Sequence, residues 1–308
     1  MANRIKTETR KMIVRMLCEG NSLRSTSRMT GVHRDTIGRV ILEFGECCHN
    51  FMDEKIRGLN LRHVQVDEIW TFVQKKQARL TVDERRERSD LGDIYLWTCL
   101  DEDTKLIVSH LLGKRSADNA RRLMVDLSER IVIPNPHSSD VHSFHEGGYK
   151  TVIQISTDGF AAYPEAVDLA FGPHVRYGQI IKQYRNAGMQ YDPSEIVGTE
   201  RRPIKGLLTP WEIGTSHVER HNLTIRTFMK RFARLSLGFS KKFECLDAAC
   251  SMYLAYYNWI WRTRYPDGSG KAGKRRPPAA MAAGLTDRLI SFDDWYADVC
   301  MYAGSPAW

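Results

Sequence analysis

Between residues 62 and 184 the chain changes its hydrophobic pattern several times, and the order of those changes restricts the fold more than any other feature. Three runs in succession, "VQVDEIWTFV", "DIYLWTCLDEDT" and "KLIVSHLLG", are short, rich in β-branched and aromatic residues, and bounded by polar segments, as strands are. The charged stretch "KKQARLTVDERRERSD" separates the first two, and a tight turn at residues 101–104 separates the second from the third. An amphipathic helix follows in "SADNARRLMVDLSERI", with Ser116 placed as its N-cap. A fourth strand in "TVIQISTDG", a helix in "YPEAVDLAFG" and a fifth strand in "VRYGQIIKQY" complete the series.

Three strands, a helix, a strand, a helix and a strand are the order of a ribonuclease H-like mixed sheet flanked by helices, and an α/β fold of that kind is expected. Residues 8–58, upstream, read as all-α, with breaks at "CEGNS" and "TGVH". Within them "SLRSTSRMTGVHRDTIGRVILEF" has the form of a helix-turn-helix: a short helix opened by Ser22, a turn at Gly31, then a helix carrying Ile37, Val40 and Ile41 inward. His33, Arg34, Asp35, Thr36 and Arg39 are left near the exposed start of the second helix, where side chains of this motif reach base edges in the major groove. Residues 185–210 lack periodicity and read as a long loop. A long helix is expected over residues 216–235 and an aromatic-rich one in "FECLDAACSMYLAYYNWIWRTRY", before a basic linker and helical tail. The expected domains are a helix-turn-helix domain at 1–60, a catalytic domain at 61–263 and the tail at 264–308.

The formal net charge is +8 and the excess is uneven: residues 220–242 hold seven Lys/Arg and no Asp or Glu. Such a block favours a polyanion, most often nucleic acid. The seven cysteines are scattered without a C-x-x-C pair and read as free thiols. Cys47 and Cys48 in "ECCHN" are adjacent with no second pair, which suits zinc poorly, and His137, His142 and His145 read as a polar surface loop. No apolar window of about 18 residues exists, and "MANRIKTETRKMIVRML" lacks the apolar core of a signal peptide. No membrane partner and a cytoplasmic, nucleoid-associated location are expected.

Asp67 and Glu68 interrupt an otherwise apolar strand, and burying carboxylates is costly unless something offsets the charge. Alternation along a strand sends neighbours to opposite faces, so only one of the two is expected to serve a site. Asp158 ends an apolar strand, and open α/β sheets gather ligands beyond the carboxyl ends of their strands. Glu219 opens "ERHNLTIRTFMKRFARL", where Ile225, Phe228, Met229, Phe232 and Leu235 share one helical face and Glu219, Leu223, Arg226, Lys230 and Arg234 the other. Three converging carboxylates repel one another unless divalent cations lie between them. Mg2+, with Mn2+ as the alternative, suits oxygen ligands, and two such ions about 4 Å apart serve phosphoryl transfer. The competing reading is a set of capped or salt-bridged acids.

The stretches "CEGNSLRSTSRMTGV", "VQVDEIWTFV", "DTKLIVSHLLG", "STDGFAAYPEAV", "GTSHVERHNLTIRTFMKRFARLSLGFSKK" and "PPAAMAAGLTD" occur in this order along nearly the whole chain. In them the chain resembles the insertion-sequence-one family of bacterial DDE transposases. The resemblance implies that Asp67, Asp158 and Glu219 are the catalytic triad and metal ligands, and it selects Asp67 over Glu68. It implies attack by water and then by a DNA 3′-hydroxyl on phosphodiesters, with Arg226 near the scissile phosphate. The implied partners are double-stranded DNA, as element terminal repeats and as target, and further copies of the chain in the DNA complex. Two other functions share parts of this pattern. A ribonuclease H-like nuclease or junction resolvase would cut without joining, and a DNA-binding regulator derived from a transposase would use residues 8–58 alone.

Overall fold

The computed structural model describes residues 5–133, 152–185, 195–233, 236–265 and 273–303. In chain order the helices are α1 (Thr7–Cys18), α2 (Leu23–Thr30), α3 (Arg34–Lys55), α4 (Val82–Glu87), α5 (Ala117–Arg130), α6 (Tyr163–Phe171), α7 (Ser216–Phe228), α8 (Phe243–Trp259), α9 (Ala279–Ala282) and α10 (Phe292–Cys300). The strands are β1 (His63–Val73), β2 (Gly92–Asp101), β3 (Ile107–Gly113), β4 (Ile153–Asp158), β5 (Val175–Arg185) and β6 (Glu195–Lys205). Two compact units result: Met1–Ile56, Trp70–Tyr95 and Asn222–Trp308 form one, Arg57–Ile69 and Leu96–His221 the other.

In the first unit the Ser22 side chain accepts from the Ser25 N–H at 3.1 Å and caps α2, and Gly31 closes it at φ 71°, a left-handed position that glycine adopts without steric cost. Ile37, Val40, Ile41 and Phe44 of α3 are buried. Gly45 sits where α3 meets α8, and a Cβ built there would overlap the Ala248 main chain, so the helices approach to backbone contact. Phe44 also meets Trp295 edge-on at 5.5 Å and stacks on Tyr296 at 4.9 Å, which docks α10 on α3. The stretch expected as a charged loop contains α4, opened by a capping box in which Thr81 accepts from the Glu84 N–H and Glu84 from the Thr81 N–H.

The second unit is built on the sheet, whose strand order is β3-β2-β1-β4-β5-β6. β4 lies parallel to both β1 and β5, with Val66 opposite Thr157 and Asp158 opposite Ile180, whereas β6 is antiparallel to β5. Ser116 caps α5 as expected, accepting from the Asn119 N–H, and α5 packs on β3 and α6. The result is a mixed α/β architecture, a six-stranded mixed sheet flanked by helices, compatible with a ribonuclease H-like fold.

Two expectations are corrected. The segment read as a loop at 185–210 contributes β6, an edge strand. Its pattern is weak because an edge position tolerates Pro203, which lies opposite Gly178 beside a register shift, and the charged Glu200, Arg201 and Arg202. The long helix expected to residue 235 stops at Phe228: Met229 is extended at φ −117° and ψ 94°, and a 3-10 turn, Lys230–Phe232, follows. Tertiary bonds to β1 decide this, because Thr71 Oγ1 donates to the Arg231 carbonyl at 2.5 Å and Val73 bridges to Ser240. Arg234, Leu235, His137, His142 and His145 lie outside the described residues. Among the described residues no helix is long and apolar enough to cross a membrane.

Candidate active site

The carboxyl end of β4 gathers the acids. Asp158 is the last residue of that strand, so its carboxylate stands at the rim of the sheet, where its Oδ1 accepts from the Phe160 N–H at 3.0 Å. On the neighbouring β1, Gln65 accepts from the N–H groups of His217 and Val218 at 2.9 and 3.2 Å, pinning the start of α7 to one face of the sheet. Asp67 follows two residues later and shares that face. Glu68 points to the other face, where its Oε1 accepts from the Tyr163 hydroxyl of α6 at 2.9 Å.

Alternation therefore holds, yet it does not keep the two carboxylates apart. One ligand oxygen from each of Asp67, Glu68 and Asp158 lies within 4.8 Å of the others. The β1–β4 ladder ends at the Val66–Thr157 pair, and a carboxylate at the rim is approachable from both faces. Glu68, with one more methylene than Asp67, reaches it from the α6 side. Opposite faces therefore do not keep Glu68 away from Asp67 and Asp158, and Glu68 is the acid that sequence reasoning set aside.

Glu219 is not one of those three. Its Oε1 accepts from Lys182 Nζ at 2.6 Å and from Thr215 Oγ1 at 2.8 Å, and its charge still raises the pKa of Asp67. Arg115, in the link from β3 to α5, donates from Nη2 to Asp158 Oδ2 at 2.6 Å and lies with Nε 3.6 Å from Glu68 Oε1. Its guanidinium rests 4.3 Å from the centroid of the Phe160 ring. Two cations thus stand among four carboxylates. They do not offset them: burial and then the Asp158 charge push Asp67 up to about 7. Burial and Asp158 raise Glu68 as well, against the opposing pull of Arg115. The Glu68 side chain is only 3% exposed.

Acids that hold protons this strongly lack positive charge, and a hard dication with oxygen ligands supplies what the donor set is short of. Asp67, Glu68 and Asp158 fit such an ion. The Arg115 and Lys182 pairs were legible only weakly: Lys182 is the single charge in the run "GQIIKQY", and Arg115 immediately precedes a helix cap. His221 of α7 is buried and held neutral by desolvation, its pKa down at about 3, so it offers no positive charge.

Of the residues read as DNA-binding, His33, Arg34 and Arg39 are exposed on and before the first turns of α3, and Thr36 is half-buried. His33 Nδ1 accepts from the Asp35 N–H at 3.3 Å, making His33 the N-cap, and Arg39 Nη2 reaches Thr36 Oγ1 at 3.5 Å. Arg226 is half-buried on α7 and Lys230 is exposed on the 3-10 turn. The helix break at Met229 therefore removes Lys230 from the single helical stripe expected to run from Glu219 to Arg234.

Comparison with curated proteins gives no match. Residues 199–259 match the family model described as IS1 transposase, a segment that spans most of β6, all of α7 with Glu219 and Arg226, and α8. Asp67, Glu68 and Asp158 lie outside the matched segment. Similarity to a DDE transposase family over this segment points to DNA cleavage with divalent metal, and the acid cluster is a group that could hold such an ion. Over residues 199–259 the chain is therefore similar to IS1 transposases, in agreement with the resemblance first carried by the short motifs.

Proposed function

We propose that the protein binds the ends of an insertion sequence and catalyses metal-dependent strand cleavage and transfer of those ends into target DNA. The observation that carries the proposal is the convergence of carboxylate oxygens from Asp67, Glu68 and Asp158 within 4.8 Å at the rim of the sheet. Asp67, Asp158 and Glu219 are the ligands in this reading, with Mg2+ as the ion and Mn2+ as a substitute. When bound, such ions polarise the scissile phosphate and stabilise the attacking and leaving oxygens.

The rest is the work of the chain. Residues 1–60 read the element ends through His33, Arg34, Thr36 and Arg39 at the start of α3, where the exposure of His33, Arg34 and Arg39 supports major-groove contact. Residues 61–263 carry the chemistry, ribonuclease H-like in plan, and residues 264–308 complete the fold. Arg226, Lys230 and Arg234 contact phosphates and contribute affinity without sequence preference. In cleavage a P–O bond to water oxygen forms as the strand's P–O bond breaks, and the leaving 3′-oxygen takes the proton. In joining, the oxygen of that 3′-hydroxyl forms a P–O bond at a target phosphodiester as the bond from that phosphorus to the target's own 3′-oxygen breaks, and the leaving 3′-oxygen takes the proton. Several copies of the chain hold the paired ends.

The test is a strand-transfer assay with labelled element ends, target plasmid and Mg2+, using wild type and Asp67→Asn, Asp158→Asn and Glu219→Gln. Joined products from wild type and none from the three variants are expected, with end binding retained. Cutting without joining identifies a nuclease or resolvase, and specific binding without cutting identifies a regulator.

A further inference from the structure

We infer that Arg115 and Lys182 are phosphate-binding residues of the acidic site, held on its carboxylates in the ion-free protein and passed to the DNA backbone when divalent cations take those carboxylates. The inference rests on reading the site as a metal-dependent phosphoryl-transfer centre.

The two cations hold different acids of the site, Arg115 on Asp158 and Lys182 on Glu219. Arg115 bonds Asp158 Oδ2 at 2.6 Å and approaches Glu68, on the α6 side. Lys182 bonds Glu219 Oε1 at 2.6 Å, on the α7 side, and sits on β5 two residues beyond Ile180, the register partner of Asp158. Asp158 and Glu219 are thus proposed metal ligands that already carry a monovalent cation. A carboxylate oxygen donated to a dication loses most of its attraction for an ammonium or guanidinium, and the dication repels both.

Neither cation is then lost from the site. Both side chains are partly open to solvent, 35% for Arg115 and 28% for Lys182, so an incoming strand can reach them. The Phe160 ring beneath Arg115 keeps its guanidinium near the rim, and a planar guanidinium donates in pairs to phosphate oxygens. Lys182 stands two residues beyond the end of the β4–β5 ladder at Ile180, on a stretch of β5 paired with β6 through Thr199. The arriving anion of matching chemistry is the phosphodiester itself. Two positive groups released beside the metal-loaded carboxylates can then hold the phosphates of the bound strand.

The exchange makes two opposite effects of one substitution, which a merely structural ion pair would not. Mn2+ binding to the full chain, followed by the signal of free Mn2+, is compared for wild type, Arg115→Gln and Lys182→Gln, with thermal unfolding to establish that each is folded. Removing the competing cation should tighten Mn2+ roughly fivefold, the scale of a partly exposed ion pair. The same variants, with Ca2+ present to prevent cutting, should bind pre-cut element ends more weakly, with the log–log salt slope lowered by about one unit. Arg115→Lys should recover part of that DNA affinity.

Mn2+ affinity that is unchanged or weaker in both variants overturns the exchange. Tighter Mn2+ with unaltered DNA affinity and salt slope overturns the phosphate role. Wild-type protein that neither cuts nor joins any DNA would refute the phosphoryl-transfer reading instead, while the Mn2+ and DNA affinities would still decide the exchange.

Discussion

Asp67→Asn should make the ion-free protein more stable above neutral pH while abolishing its response to Mg2+. Burial first, and the Asp158 charge next, raise the Asp67 pKa from 3.8 to about 7. The folded protein therefore holds a proton that the unfolded chain releases between those values, so stability falls as pH rises through that window and remains lowered above it. At about 1.4 kcal/mol per unit the shift sets a ceiling of about 4 kcal/mol. Asn keeps the shape and cannot ionise, but it also forgoes the attraction of Lys182, so a net gain of about 1–3 kcal/mol is expected. For a chain of this size that corresponds to a midpoint rise of about 2–4 °C per kcal/mol. Thermal unfolding would be followed near pH 5 and pH 8, with EDTA or with Mg2+. Wild type should lose stability between the two pH values in EDTA and regain it with Mg2+ at the higher one; the variant should lose less, the remainder coming from Glu68, which burial and Asp158 also raise, and should not regain it with Mg2+. An Asp67→Asn protein less stable than wild type at the higher pH, or a variant with the same loss between the two pH values, would refute the assignment of the cost to this carboxylate.

Glu68→Gln should lower Mg2+-dependent cleavage by about 10- to 100-fold, as loss of a group that supports metal ligands does; activity equal to wild type would show that Glu68 is only a buried partner of Tyr163. Gly45→Ala should destabilise the first unit by at least about 1–3 kcal/mol through overpacking of α3 against α8, measured by chemical denaturation, and an unchanged midpoint would mean that the helices separate at little cost. Arg34→Ala and Arg39→Ala should each cost about 1–3 kcal/mol of specific binding to element ends with little effect on random DNA. Equal losses on both DNAs in a competition assay would reassign these residues to phosphate contacts.

Much of this molecule is written in local signals. Ser22 and Ser116 as caps, Gly31 as a turn, the inward Ile37, Val40 and Ile41, and five of the six strands were legible because each depends on spacing within one element. The same holds for Asp67 and Asp158, whose neighbours make a carboxylate conspicuous. What tertiary structure alone decided are the places where distant segments compete with local preference. β6 exists because an edge accepts Pro203 and charges that no interior strand would. α7 ends at Phe228, although its apolar spacing continues, because β1 offers hydrogen bonds to the residues beyond. Alternation along β1 placed Asp67 and Glu68 on opposite faces correctly, but periodicity within a strand cannot show that the strand next to it ends in a third carboxylate reachable from both. The cations that answer those acids come from the link after β3 and from β5, and their approach to Asp158 and Glu219 is a property of the assembled sheet.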